Sequence, residues 1–103
     1  MIPLSPEAES QLDELLVYYE QRERPEAVHN LIAAVEQAGA HIEQAPDSGL
    51  PAPRPYPALA ALGLRWIKQG AYWFAYADPP SGPIIAGVFY VSADIPNRLT
   101  YRE

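Results

Sequence analysis

The sequence predicts an α+β domain in which an N-terminal antiparallel helical hairpin packs on a small, mainly antiparallel β-sheet of three to four strands. Three observations predict it. Apolar residues recur at helical spacing from Ala8 to Ile42, Gly63 to Val91 is dense in aromatic and β-branched residues broken by turn signals, and a proline-rich run lies between the two. The chain of 103 residues divides accordingly into a hairpin over 5–43, a connector over 44–61, a sheet over 62–91 and a tail over 92–103.

Ile2-Pro3-Leu4 has the pattern of a short strand that Pro3 confines to a sheet edge. Ser5 then stands as an N-cap with Pro6 at the first helical position, and Glu7 and Glu9 put negative charge beside the positive end of the helix dipole. Ala8, Leu12, Leu15, Leu16 and Tyr19 form one apolar stripe at spacings of three and four. Arg24-Pro25 ends this helix, because the residue before a proline is pushed out of the α region. Pro25 opens a second helix whose stripe is Val28, Leu31, Ile32, Val35, Ala38, Gly39 and Ile42. Two helices joined by so short a link run antiparallel.

From Gln44 to Ala61 the periodicity is lost. Pro46, Pro51, Pro53, Pro55 and Pro57 remove backbone donors and favour extended conformation, so this run reads as a stiff connector rather than a PxxP ligand. Three strands follow. Leu64 to Lys68 leads through Gln69-Gly70 to Ala71 to Ala77, and Asp78-Pro79-Pro80-Ser81-Gly82 leads to Ile84 to Val91. In the middle strand Tyr72, Phe74 and Tyr76 share one face, and Ala71, Trp73, Ala75 and Ala77 share the other. The small Ala-rich face is expected to receive the helices, with the aromatic face partly core and partly turned to a partner.

Composition excludes several classes. Thirteen acidic residues against seven Lys plus Arg give a net charge of −6, which disfavours a broad nucleic-acid surface. The acids crowd the helical half, while Arg54, Arg65, Lys68, Arg98 and Arg102 give the C-terminal half a modest basic character. The chain has no cysteine, hence no disulfide and no thiolate chemistry, and it shows neither a signal-peptide pattern nor a membrane span; a cytoplasmic protein is expected. His29 and His41 stand twelve apart, off metal-ligand spacing, and no Gly-rich phosphate loop or nucleophile elbow occurs. No metal, cofactor or small-molecule substrate is expected. Arg65, Tyr76, Tyr90, Arg98 and Tyr101 remain as residues able to contact a partner, or to stabilise a phosphoryl transition state without a metal.

Four segments carry a further signal: Leu4-Ser5-Pro6-Glu7-Ala8 running to Tyr18-Tyr19, Gly63-Leu64-Arg65, Phe74-Ala75-Tyr76, and Val88-Phe89-Tyr90-Val91-Ser92-Ala93-Asp94-Ile95-Pro96. Their order and spacing over nearly the whole chain resemble the RelE/ParE superfamily of toxins from bacterial type II toxin-antitoxin systems. The ParE-like branch of that resemblance implies a non-enzymatic toxin that binds and poisons DNA gyrase and is neutralised by a cognate antitoxin, with Arg65, Tyr76, Tyr90, Asp94 and Arg98 as partner-binding residues. The RelE-like branch implies a ribosome-dependent mRNA endonuclease, for which Arg65, Lys68, Arg98 and Tyr101 are the available catalytic set. Tyr90 stands where many members have His, and Ala93 where many have Arg. A third reading is therefore a non-toxic interaction module on the same scaffold.

Overall fold

The computed structural model describes residues 2–54 and 56–91. Helix α1 spans Pro6–Gln21 and α2 spans Pro25–Gln44, and a three-stranded antiparallel sheet follows in the order β1-β2-β3, with β1 at Arg65–Gln69, β2 at Tyr72–Ala77 and β3 at Ile84–Tyr90. This is the expected α+β arrangement, with strand limits within a residue of those read from the sequence. The tail over 92–103 lies outside the described residues, and with it Asp94, Arg98 and Tyr101.

The start of α1 is fixed by its cap. Ser5 keeps an extended backbone, and its Oγ accepts the Ala8 N–H at 3.1 Å, satisfying one of the donors every helix start leaves unpaired. The other end stops at Gln21, ahead of Arg24-Pro25, because Glu23 takes a left-handed φ of 52° and turns the chain into α2. The edge strand expected at Ile2-Pro3-Leu4 is reduced to one parallel bridge between Leu4 and Ile85. In it the Ile85 N–H donates to the Pro3 carbonyl and the Ser5 N–H donates to the Ile85 carbonyl. At the opposite edge the backbones of Leu50 and Trp66 exchange two hydrogen bonds. Both edges of the sheet are thus partly occupied by the chain itself, which limits strand addition by another molecule.

The packing of the two faces corrects the sequence expectation. The helices lie on the bulky face, not on the Ala-rich one: Tyr72, Phe74 and Tyr76 share a core with Ile67, Ile85 and Val88 of the sheet and with Ala8, Tyr19, Ala27, Leu31, Ala34, Ala38 and Ile42 of the helices. The reason is complementarity of size. The inner stripe of α2 is largely alanine, so the helix backbone can approach a sheet surface already filled with rings. Ile32, placed on the buried stripe by periodicity, is instead 47% exposed.

The Ala-rich face is covered by the run expected to be only a connector. A 3-10 helix at Pro57–Leu62 brings Leu59 and Leu62, with Tyr56, against Leu64, Trp66, Trp73, Ala75, Ala86 and Phe89. Prolines suit that role because they lose little entropy when fixed over a surface. Trp66 is fully buried in this second cluster, and its indole N–H has no hydrogen-bond partner among the described residues. Such an orphan costs roughly 1–3 kcal/mol, which burial of the indole offsets.

Candidate functional site

Tyrosine organises a wide concavity between the helices and the sheet. Tyr18 and Tyr19 end α1, Tyr72 begins β2 and Tyr90 ends β3, and the antiparallel register sets Tyr72 directly opposite Tyr90. The Tyr72 and Tyr90 rings meet edge to face with centroids 5.7 Å apart, as do those of Tyr18 and Tyr19. The hydroxyls of Tyr19 and Tyr72 lie 2.5 Å apart and join the two pairs into one contiguous row. Tyr19 and Tyr72 are buried, whereas Tyr18 is 47% and Tyr90 42% exposed. The inner pair therefore forms a floor and the outer pair the margins. Burial, with the hydrogen bond to Tyr19 second, pushes the Tyr72 phenol well above its ordinary range.

Above this row the helices leave an open groove of about 1250 Å³. It exists because α1 packs chiefly on β3 while α2 packs on β1 and β2, and because α2 turns only small or neutral residues toward the gap: Ala27, Asn30, Ala33, Ala34 and Gln37. The α1 wall is different. Glu7, Ser10, Gln11, Glu14 and Tyr18 follow one another at helical spacing along it. The Gln11 Oε1 accepts the Val88 N–H at 2.9 Å, so that side chain ties the wall to β3. Neither Glu7 nor Glu14 has an ion pair among the described residues. At the hairpin link the Arg22 guanidinium lies 3.8 Å from the Tyr18 ring centroid, and the Arg24 Nε donates to Glu26 at 3.3 Å. A backbone hydrogen bond, with Arg24 second, lowers the Glu26 carboxyl below its ordinary range.

The sequence-predicted residues separate into different places. Tyr90 lies in the groove. Tyr76 does not: it is fully buried, its hydroxyl donating to the Pro46 carbonyl at 2.7 Å and accepting the Gly49 N–H at 3.1 Å. It anchors the connector rather than facing a partner, and burial raises its phenol pKa. Arg65 is exposed, with Nη1 donating to the Asp47 carbonyl at 3.1 Å. Strand alternation places Arg65, opposite Tyr76, on the helix-bearing face of β1, and Lys68, opposite Trp73, on the other. The two described cations of the endonuclease set are thus not brought together. His29 and His41 are both exposed, and the His41 Nε2 lies 2.9 Å from Ser48 Oγ.

Glu7, Gln11 and Glu14 were not singled out in the sequence as groove residues: Glu7 read only as first-turn charge beside the helix dipole, and Gln11 and Glu14 carried no reading of their own. The available signal was their i, i+4, i+7 spacing on the side of α1 adjoining its apolar stripe. Among the described residues no group of three or more His, Asp or Glu is placed to hold a metal, and no helix is long and apolar enough to cross a membrane. What the groove offers chemically is aromatic faces with negative quadrupoles, amide and hydroxyl hydrogen-bonding groups, two carboxylates on the α1 wall and, at the hairpin end, the Arg24 guanidinium, which is paired with Glu26. No protein-family model matches the chain, and no curated protein is detectably similar to it.

Proposed function

We propose that this protein is a ParE-like toxin of a type II toxin-antitoxin system, acting by binding rather than catalysis, with DNA gyrase as its target and a cognate antitoxin as its neutralising partner. The reading rests on the sequence resemblance. The observation that favours its binding branch is the tyrosine groove, an open surface with exposed rings at its margins and a fixed hydrogen-bonded floor. Protein-recognition surfaces are enriched in such rigid aromatic side chains. The separation of Arg65 from Lys68 on β1 disfavours the endonuclease reading.

Induction in a bacterial host without an antitoxin tests it. The expected outcome is an SOS response and filamentation with intact mRNA. Transcripts cleaved at translated codons would replace this reading with a ribosome-dependent endonuclease, and normal growth at high expression would leave a non-toxic interaction module. Arg65→Ala is expected to weaken the growth defect while leaving the melting temperature nearly unchanged, since the side chain is exposed and makes one hydrogen bond at the surface.

A further inference from the structure

The chemistry of one occupant can be read from the groove itself. The hairpin from Pro6 to Gln44 carries nine carboxylates against Arg22 and Arg24, and both arginines are already engaged, one on the Tyr18 ring and one with Glu26. Glu7 and Glu14 stand two helical turns apart on the groove wall, about 10 Å along the axis. On the facing wall the residues within α2 are uncharged and partly alanine, so a polypeptide can approach it closely, and the one cation there, Arg24 at the start of α2, is paired with Glu26. Exposed tyrosine faces complete the set, and Arg22 over Tyr18 is an instance within this chain of how such a ring receives a cation.

We infer that the groove between α1 and α2 takes a basic segment of another protein, with its Lys or Arg side chains paired to Glu7 and Glu14 and laid against Tyr18 and Tyr90. Charge complementarity selects this occupant. A second copy meeting the groove through its own hairpin would bring the same acids, and nucleic acid or an anionic lipid surface would be repelled by them. A helical segment with cations seven residues apart matches the separation of the two glutamates. The inference rests on the binding reading above only in that both make this a protein-binding domain. It carries no assumption about toxicity.

The probe is a synthetic amphipathic peptide with Lys at two positions seven residues apart in a Leu- and Ala-containing background, titrated into the isotopically labelled full chain and followed by backbone amide shifts. Expected are shifts concentrated from Glu7 to Tyr18 and at Tyr90. Affinity should fall about tenfold in the Glu7→Gln/Glu14→Gln double variant and severalfold as salt is raised. Tyr90→Ala should weaken binding while the amide spectrum stays that of the folded protein. Lys68→Gln, on the other face, should change nothing. The inference is overturned by absence of binding, by equal binding of the peptide with Glu in place of Lys, by unaltered affinity in the double glutamine variant, or by concentration-dependent self-association that maps to the groove. Because these measurements use purified protein, normal growth on induction would remove the toxin reading and leave the groove's ligand chemistry standing.

Discussion

Gly49→Ala probes how the connector is locked to the sheet. A Cβ built at Gly49 would lie 2.7 Å from the Tyr76 hydroxyl, 2.8 Å from the Arg65 Cβ and 2.9 Å from the Tyr76 Cε1. Two of these atoms belong to a fully buried ring, and the third sits next to strand backbone, so none can swing aside; the loop must move. Moving it strains the Gly49 N–H to Tyr76 hydroxyl bond, the Tyr76 hydroxyl to Pro46 carbonyl bond and the adjoining Leu50 and Trp66 backbone pair. Overpacking of a filled site costs about 1–3 kcal/mol, and each weakened hydrogen bond adds roughly 0.5–1.5 kcal/mol. The variant should therefore lose about 2–5 kcal/mol by urea denaturation at 25 °C, a large share of the stability of an ordinary small domain. Tyr76→Phe removes the nearest of the three atoms but not the other two. In the double variant the losses should therefore be less than additive, with a coupling of about 1 kcal/mol. A Gly49→Ala variant within 0.5 kcal/mol of the parent, or strict additivity with Tyr76→Phe, would refute the close-approach argument.

Two further outcomes follow from the same contacts. Tyr72 and Tyr76 both hold their protons more tightly in the fold than free phenols do. Above about pH 10 the unfolded state therefore binds fewer protons than the folded one, and stability is complete below that pH and falls as it rises toward the folded pKa values. Melting temperature measured from pH 8 to 11.5 should decline at the alkaline end, less steeply in Tyr72→Phe; a flat profile in the parent would count against buried phenols. Ser5→Ala should cost about 1 kcal/mol through loss of the α1 cap, read by chemical denaturation, and Ser5→Asp, which can still cap, should recover most of it.

Several elements were legible in the sequence because their signals are local. Ser5 followed by Pro6 fixes the start of α1 through capping chemistry that needs no distant partner, and Pro25, whose fixed φ suits the first helical position, marks the start of α2 without a side-chain cap. Gln69-Gly70 marks the β1 to β2 turn, where Gly70 has φ 61°, a conformation that L side chains rarely adopt. Period-2 alternation separated the two faces of β2 correctly, yet it could not say which face the helices would take. Both faces are buried, one under helices and one under the 3-10 helix, so alternation carried no inside or outside. The alanines of α2 decide it, and their fit to the rings of β2 is a match of volumes between elements distant in the chain.

The groove belongs to the same category. The sequence by itself determined the hairpin, the three strands, the acidic bias of the helical half and the presence of seven tyrosines, all of them properties of residues and near neighbours. Only the tertiary structure decided that Tyr18, Tyr19, Tyr72 and Tyr90 form one row, that Tyr76 is an internal anchor, and that Glu7 and Glu14 face a cleft. Those outcomes depend on strand register and on how far apart the helices sit. Both depend on the summed packing of surfaces that include residues more than fifty apart in the chain, as in the hydrogen bond between the Tyr19 and Tyr72 hydroxyls, and no local pattern encodes that sum.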